Sequence, residues 1–263
     1  MSRAIAVIDW GIGGLPTLMR LRAALPTARF AYLSDAGFTP YGKVPRDRLH
    51  TRLLQVVRWA RSRGFLEVAV ACNALSSVLN EPATLIDGCR VYSLPHSYLA
   101  TRLDRQLGTG GTVGIFGGDA TVARGLYRDH LAELGYRVVQ ASGQALSARI
   151  ESGDYRAIDT LIGELLAPVR TCDQLVLACT HYPAVSDRIA HLLPDVEIVD
   201  PSIAFVERVA SAGAAGTGPE ILQDDLLYTT GDRQASAAGA AKAFGYQGLD
   251  FIQLEANFAS EDL

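Results

Sequence analysis

The stretch LVLACTHYPAV, residues 175–185, joins an apolar run to a sudden group of polar residues. The run ends at Cys179 and is followed by Thr180, His181 and Tyr182. An apolar run bounded in this way is typical of a buried strand. In α/β proteins the functional side chains usually lie where such strands end. The stretch therefore predicts a strand with a reactive thiol at its exit.

The same pattern occurs earlier in the chain. VAVACN (68–73) aligns with LVLACT (175–180), so that Cys72 stands opposite Cys179, 107 residues before it. Three further pairs of apolar runs align at offsets of 107 or 108 residues. They are IAVIDWGIGG (5–14) with VGIFGGDATV (113–122), RFAYLSD (29–35) with RVVQASG (137–143), and CRVYSLP (89–95) with VEIVDPS (196–202). Four strand-like runs repeated in one order predict two similar halves.

Stretches with helical periodicity separate the runs. They are LPTLMRLRAAL (15–25), RDRLHTRLLQVVRWARSRG (46–64), TVARGLYRDHLAELG (121–135) and YRAIDTLIGELLAPV (155–169). Strands that alternate with helices favour parallel sheets covered on both faces. Beyond residue 205 the chain contains a loop-like AGAAGTGP (212–219) and two strand-like runs, LLYTTGD (226–232) and GLDFIQLE (248–255). We expect these two runs to return to the first half.

These patterns predict an α/β fold with two pseudo-symmetric, flavodoxin-like domains and parallel sheets. Residues 1–97 and 206–263 are expected to form the first domain, and residues 98–205 the second. A pseudo-twofold axis would place equivalent strand ends opposite each other. The active site is therefore expected at the interface of the domains, beyond the carboxyl ends of the strands.

The composition narrows the class of function. Of 263 residues, 49% are hydrophobic and 20% are charged, which is ordinary for a soluble globular protein. The formal net charge of -4 provides no basic surface for a phosphate backbone, so we expect no nucleic-acid partner. No run approaches the roughly 18 apolar residues of a membrane helix, and the first residues lack the features of a signal peptide. We expect a cytoplasmic protein without membrane contact.

The four cysteines include no CxxC pair, which argues against a disulfide scaffold and a zinc ribbon. Cys89 and Cys172 have no counterpart in the other half and are interpreted as structural core residues. Cys72 and Cys179 would face each other across the cleft, where one thiol can remove a proton from a carbon and the other can protonate its opposite face. Each precedes a predicted helix, whose N-terminus is expected to favour the thiolate. The pair predicts inversion of a stereocentre without a cofactor.

Six short motifs are spread over nearly the whole chain: IDWGIGGL (8–15), TPYGK (39–43), VACN (70–73), ATV (120–122), IESG (150–153) and CTHYP (179–183). They resemble motifs of the cofactor-independent glutamate racemases, in the aspartate/glutamate racemase superfamily. The resemblance implies an isomerase that racemises an amino acid, with glutamate as the leading substrate, and that forms a homodimer. It also implies supply of D-glutamate for peptidoglycan, with secondary metabolism as the alternative role.

The resemblance also implies roles for individual residues. Cys72 and Cys179 would be the catalytic acid/bases. Asp9 would lie beside the first thiol and contact the substrate amino group, while Glu151 and His181 would support the second thiol. The implied substrate-binding positions are Pro40, Tyr41 and Gly42 at the side-chain end of the pocket, Asn73, Thr121 and Thr180 as hydrogen-bonding residues, and Trp10 and Ala74 beside them.

Three positions depart from the family pattern. Trp10 stands where the family has serine, and Ala74 and Gly118 stand where it has threonine. Each lost hydroxyl removes roughly 0.5 to 1.5 kcal/mol of hydrogen bonding, and the indole of Trp10 fills volume. Either compensating residues hold glutamate, or the substrate is another amino acid or a related acid with a stereocentre beside a carboxylate.

Three rival hypotheses depend on single features. GIGG (11–14) follows a strand as in dinucleotide-binding domains, but Pro16 occupies the position of the third glycine. The lost hydroxyls favour a non-catalytic protein that binds an amino acid or a protein partner, whereas the retained thiols favour catalysis. Cys172, Cys179 and His181 have a spacing unlike that of closed zinc sites. We expect neither a metal nor a cofactor.

Overall fold

The computed structural model describes residues 3–104, 110–213 and 226–255. The strands are β1 (Ala4–Asp9), β2 (Arg29–Ser34), β3 (Glu67–Val70), β4 (Ala83–Ile86), β5 (Cys89–Ser93), β6 (Thr112–Gly117), β7 (Arg137–Ser142), β8 (Gln174–Ala178), β9 (Glu197–Val199), β10 (Leu226–Thr229) and β11 (Phe251–Gln253). The helices are α1 (Leu15–Ala24), α2 (Arg46–Ser62), α3 (Asn73–Ser76), α4 (Leu94–Asp104), α5 (Asp119–Arg124), α6 (Leu126–Glu133), α7 (Gln144–Ser152), α8 (Ile158–Leu165), α9 (Ser186–Leu192), α10 (Ser202–Ser211) and α11 (Arg233–Phe244). Short 3-10 turns cover Tyr41–Lys43, Ala167–Val169 and Tyr182–Val185.

The strands form two sheets. The first has the order β11-β10-β2-β1-β3-β5-β4, and the second has the order β7-β6-β8-β9. Neighbouring strands are parallel except β4 and β5, which pair as antiparallel strands. The α/β fold class with parallel sheets is confirmed. The two predicted C-terminal strands are also confirmed, because β10 pairs with β2 and β11 pairs with β10.

The two sheets repeat one arrangement. The order β2-β1-β3-β5 in the first matches β7-β6-β8-β9 in the second, and both follow the flavodoxin-like order. The registers match as well: β1 and β2 begin their pairing at Ala4 and Arg29, and β6 and β7 begin at Thr112 and Arg137, each 108 residues later. The sequence offset between the runs is therefore the register of the repeated strands.

Both faces of the first sheet are buried, as β1 illustrates. Ala6 and Ile8 pack into a core with α2, whereas Ile5 and Val7 pack into a second core with α1 and α10. All four side chains are fully buried. A parallel sheet with helices on both faces requires such continuous apolar strands. This explains the unbroken apolar runs of the sequence.

Three helix predictions differ from the structure. The predicted helix 121–135 is divided into α5 and α6 at Gly125, whose φ of 70° lies in the left-handed region. The predicted helix 155–169 is shorter, because α8 ends at Leu165. The helix expected directly after Cys72 is the single turn α3, and Cys179 is followed by a 3-10 turn before α9.

The proposed domain boundaries fall within two helices that pack against each other, α4 and α10. The division at 97/98 and 205/206 stays a prediction. Most of the loop predicted at 212–219 lies outside the described residues. Across residues 3–104, 110–213 and 226–255, no helix has the length and apolar character needed to cross a membrane.

Candidate active site

A pocket of about 410 Å³ lies where the carboxyl ends of strands from both sheets meet. Every residue predicted for the site lines it except Glu151. The lining residues are Asp9, Trp10, Pro40, Tyr41, Gly42, Cys72, Asn73, Ala74, Gly118, Thr121, Gln144, Ser147, Ala178, Cys179, Thr180 and His181. The two thiols that are far apart in sequence therefore line the same pocket.

The first thiol lies beside a buried carboxylate. Asp9 is the last residue of β1, and Cys72 follows β3, the neighbouring strand, so the sheet brings the two side chains together. They share a side-chain hydrogen bond. Asp9 also accepts hydrogen bonds from the Trp10 backbone N–H and from Thr180 Oγ1, both at 2.7 Å. The bond from Thr180 joins the exits of β1 and β8, which belong to different sheets.

Burial controls the protonation of this pair. It raises the pKa of Asp9 from its ordinary 3.8 to about 6, although the nearby His181 acts in the opposite direction. It also raises the pKa of the Cys72 thiol well above its ordinary value, and the negative charge of Asp9 adds to this effect. The prediction that a helix N-terminus favours the Cys72 thiolate was wrong. One turn of helix supplies the Leu75 N–H, which favours the thiolate too weakly to offset burial.

The second thiol lies beside an ion pair. The sulfur of Cys179 is 3.9 Å from His181 Nδ1, and His181 Nε2 is 2.7 Å from Glu151 Oε2. Glu151 lies on α7 behind the pocket and also accepts a hydrogen bond of 2.9 Å from the Ile12 N–H. Burial lowers the pKa of His181, but the contacts with Cys179 and Glu151 outweigh it and raise the pKa well above its ordinary value. The imidazolium can therefore stabilise negative charge on the Cys179 sulfur.

Asn73 offers an unused donor at the pocket. Its Oδ1 accepts a hydrogen bond of 2.6 Å from the Tyr127 hydroxyl, which fixes the orientation of the amide. Its Nδ2 is buried and has no hydrogen-bond partner within the described part of the chain. A buried donor without a partner carries a desolvation cost that a bound acceptor would relieve. The position suits an oxygen atom of a ligand.

Tyr41 reaches the pocket wall from a buried polar network. Its hydroxyl donates to Asp35 Oδ2 at 2.5 Å. Arg52 donates to both carboxylate oxygens of Asp35, at 2.6 and 2.8 Å, and Thr230 Oγ1 donates to Oδ1 at 2.9 Å. The network links the end of β2, the 3-10 turn that holds Tyr41, helix α2 and the segment after β10. It fixes the wall formed by Pro40, Tyr41 and Gly42.

The three departures from the family pattern all line the pocket. The indole N–H of Trp10 donates to the Phe38 carbonyl at 2.9 Å, and its ring centroid is 6.2 Å from that of His181. Trp10 is therefore fixed as a wall beside the second thiol. Ala74 and Gly118 bring no polar side chain to the pocket.

The sequence interpretation missed two polar residues of the pocket, Gln144 and Ser147. Both lie on α7, directly after β7, so they too follow the exit of a parallel strand. The repeat could have indicated them, because the 108-residue offset places β7 opposite β2, whose exit leads to Asp35. It also missed Asp35 and Arg52 behind Tyr41, because their contacts join residues 17 positions apart.

The described residues include no group of three or more His, Cys, Asp or Glu side chains that could hold a metal ion. Cys89 and Cys172 are buried and do not line the pocket, as expected for structural cysteines. The polar groups around the pocket are instead arranged as two acid/base clusters, one at each thiol.

Residues 19–209 match the family model described as Asp/Glu/Hydantoin racemase. A glutamate racemase of Methylococcus capsulatus is 30% identical over 275 aligned positions, which cover 98% of this chain and 97% of the relative. The crystal structure of a glutamate racemase from Thermus thermophilus, in complex with beta-chloro-D-alanine, has a TM-score of 0.79 and 25% identity, with 98% of each chain covered. Glutamate racemase RacE1 from Bacillus anthracis has a TM-score of 0.82 at 21% identity, with 96% of this chain and 97% of that chain covered, and shows the same two-domain fold. The chain belongs to the Asp/Glu/Hydantoin racemase family.

Proposed function

We propose that this protein is a cofactor-independent amino-acid racemase that acts on glutamate. One observation carries the proposal: Cys72 and Cys179, at the ends of corresponding strands of two repeated sheets, line a single pocket. Racemisation needs an acid and a base on opposite sides of one carbon, and two thiols in this relation supply them. The full-length relatives named glutamate racemase support the choice of reaction and substrate.

The surroundings of the thiols support a division of roles. The His181 imidazolium favours a thiolate at Cys179, which would remove the proton from Cα and leave its electron pair on the substrate as a carbanion. Burial and the Asp9 charge keep Cys72 as a thiol, which would protonate the opposite face of Cα. Reaction of the other enantiomer reverses the transfer. Asp9 would pair with the substrate ammonium group, and Glu151 would hold His181 in its charged form.

Asn73, Thr121 and Thr180 are proposed to hold the α-carboxylate and neighbouring atoms. The unused Asn73 Nδ2 supports this assignment. Pro40, Tyr41 and Gly42 would surround the side-chain end, with Trp10 and Ala74 as the adjoining walls.

A different amino acid is the second candidate substrate. Trp10 is fixed as a wall of the pocket, and the side chains at Ala74 and Gly118 supply no hydroxyl. This wall would favour a smaller or more apolar side chain. The mechanism with two thiols would be the same.

The remaining aspects of the biological role are proposals from the family resemblance. We propose a cytoplasmic homodimer that supplies D-glutamate for peptidoglycan, with a part in secondary metabolism as the alternative. The domains are proposed to be 1–97 with 206–263, and 98–205, and to close on the substrate. Light scattering of the purified protein would measure the mass of the assembly, and a monomer at micromolar concentration would contradict the dimer.

Solvent deuterium exchange tests the proposed reaction. The protein is incubated in D2O with a panel of L- and D-amino acids and no cofactor, and NMR follows the Cα proton while polarimetry follows optical rotation. We expect exchange and racemisation of glutamate, with losses of at least roughly a hundredfold in Cys72→Ala and in Cys179→Ala. Cys89→Ala and Cys172→Ala serve as matched controls and should retain the activity.

Each outcome has a distinct meaning. Exchange of only another amino acid would replace the substrate and keep the mechanism. Full racemisation by either single-thiol variant would contradict the mechanism with two thiols. Absence of exchange with every amino acid, from folded protein with reduced thiols, would favour the binding-protein hypothesis.

A further inference from the structure

Gln144 is a pocket residue to which neither the sequence motifs nor the mechanism assigns a role. It begins α7 at the exit of β7 and lines the pocket with Ser147, one turn later. Its amide lies against two glycines that also line the pocket, since a Cβ at Gly42 would overlap with Gln144 Oε1 and a Cβ at Gly118 would lie 2.8 Å from it. Gln144 is therefore at the same end of the pocket as Gly42.

The contacts of Gln144 fix which end of its amide can serve a ligand. Oε1 accepts a hydrogen bond of 3.3 Å from the Asp119 backbone N–H. Nε2 donates a hydrogen bond of 3.2 Å to Ser147 Oγ, which in turn donates to the Gln144 carbonyl oxygen at 2.8 Å. A carboxamide has two N–H donors, and the Ser147 contact uses one of them. The second is available to a ligand at this end of the pocket.

The charges around the pocket make such a donor important. None of the described residues that line the pocket is lysine or arginine. Asp9 adds a negative charge at the first thiol, and the positive charge of His181 is engaged by Glu151 and Cys179. A second carboxylate on the substrate must therefore be held by neutral N–H and O–H donors, each of which forms a stronger bond to a charged acceptor than to a neutral one.

We propose that Gln144 donates its second amide N–H to the side-chain carboxylate of the substrate and determines the preference for an acidic amino acid. The inference rests on the proposed function, since it takes the pocket as the racemase site. Ser147 positions the amide. Gly118 leaves the space that the Gln144 amide occupies, so the hydroxyl missing at 118 is replaced by a donor from α7.

Two variants of equal reach separate this role from a structural one. Gln144→Glu keeps the shape of the side chain and replaces the donor with a negative charge. Gln144→Leu removes the donor without adding charge. Gln140→Leu is the matched control, because Gln140 lies on β7, bonds the Val122 carbonyl and does not line the pocket. The kcat and KM of each variant are measured with D- and L-glutamate, and thermal unfolding verifies that each is folded.

We expect Gln144→Leu to lower kcat/KM for glutamate by about 10- to 100-fold, mainly through KM, as for loss of a hydrogen bond to a charged group. Gln144→Glu should lower it further, because its carboxylate repels that of the substrate, while Gln140→Leu should stay within about threefold of the wild type. A loss in Gln144→Glu no larger than that in Gln144→Leu would overturn the inference. So would an unchanged KM in both.

A measurement on the wild-type protein covers the case in which a variant does not fold or glutamate is not the substrate. The Gln144 side-chain amide signal is followed by 15N NMR during titration with glutarate, a dicarboxylate, and with butyrate, a monocarboxylate of similar shape. The inference predicts a shift with glutarate that butyrate does not produce. Equal responses to the two acids, or no response to either, would overturn it. Failure of the deuterium exchange with glutamate would instead count against the proposed function.

Discussion

At the scale of single residues, the two thiols differ in their surroundings although their strands are repeats of each other. Cys72 is buried beside the carboxylate of Asp9, whereas Cys179 is partly exposed beside the His181–Glu151 ion pair. Negative charge is therefore disfavoured at one sulfur and favoured at the other. The difference has measurable consequences for stability and for reactivity.

The first consequence is a pH-dependent stability due to Asp9. Because burial raises its pKa from 3.8 to about 6, the folded state holds a proton there that the unfolded state releases. This contribution to stability is complete below pH 3.8 and is lost as the pH rises through 6. Asp9→Asn has no such proton, so its free energy of unfolding relative to the wild type should increase by about 3 kcal/mol between pH 3 and pH 7. Urea unfolding of both proteins across this range measures the difference, and a constant difference would contradict the assignment.

The second consequence is selective alkylation. At pH 7, iodoacetamide should label Cys179 at least roughly tenfold faster than Cys72, because a thiolate is the reactive form and a nearby cation favours it. Glu151→Gln should slow the labelling of Cys179, since His181 loses its anionic partner. Peptide mass spectrometry follows the two sites, with buried Cys89 and Cys172 as internal controls. Faster labelling of Cys72 would reverse the proposed division of roles.

At the scale of secondary-structure elements, a buried ion pair joins α2 to the pocket wall. Arg52 and Asp35 are 3% and 0% exposed, so removal of one partner leaves an uncompensated charge in the core. Arg52→Leu should lower the free energy of unfolding by about 3 to 5 kcal/mol and raise the KM through displacement of Tyr41. Arg58→Leu is a control on the same helix, because the Arg58–Asp87 pair is exposed and contributes roughly 1 kcal/mol or less. Equal effects of the two substitutions in urea unfolding would contradict this role.

The break between α5 and α6 gives a test at the same scale. Gly125 has a φ of 70°, so Gly125→Ala should destabilise the protein by about 1 to 2 kcal/mol. Gly163 is inside α8, where a Cβ would meet no atom closer than 3.8 Å, so Gly163→Ala should stabilise by about 0.5 to 1 kcal/mol. Thermal unfolding compares the variants, and the opposite signs are the expected result. Destabilisation by both would argue that space at Gly163 is more restricted than the structure indicates.

At the scale of the whole molecule, the pocket is completed by contacts between the two sheets. Thr180 after β8 bonds Asp9 of β1, Glu151 of α7 bonds the Ile12 N–H, and Arg124 of α5 bonds the Ala74 carbonyl at 3.0 Å. A ligand held by both halves should therefore stabilise them together. At a concentration of 100 Kd, the amino acid that exchanges its Cα proton should add about 2.7 kcal/mol of stability to one cooperative transition. Calorimetry that showed two transitions, with only one shifted by the ligand, would contradict a site shared by both halves.

The repeated fold was predictable from the sequence because a buried parallel strand must be apolar on both faces. Its run of apolar residues is therefore visible without knowledge of its neighbours, as in residues 5–9 and 175–178. The exits of these strands gave Cys72, Cys179 and Asp9, since functional side chains of α/β proteins lie there. Helix lengths were less predictable: the division at Gly125 depends on one backbone angle within a stretch that is otherwise helical in pattern.

The sequence by itself determined the class of fold, the repeat and the pair of thiols, because these depend on local apolar patterns and on spacing along the chain. Only the tertiary structure decided the protonation of Cys72 and Asp9, because desolvation depends on what surrounds a group in three dimensions. It likewise brought Gln144 to Gly118 and Arg52 to Asp35 through packing between elements. Contacts of this kind leave no periodic pattern in the sequence, since they join residues from separate strands and helices.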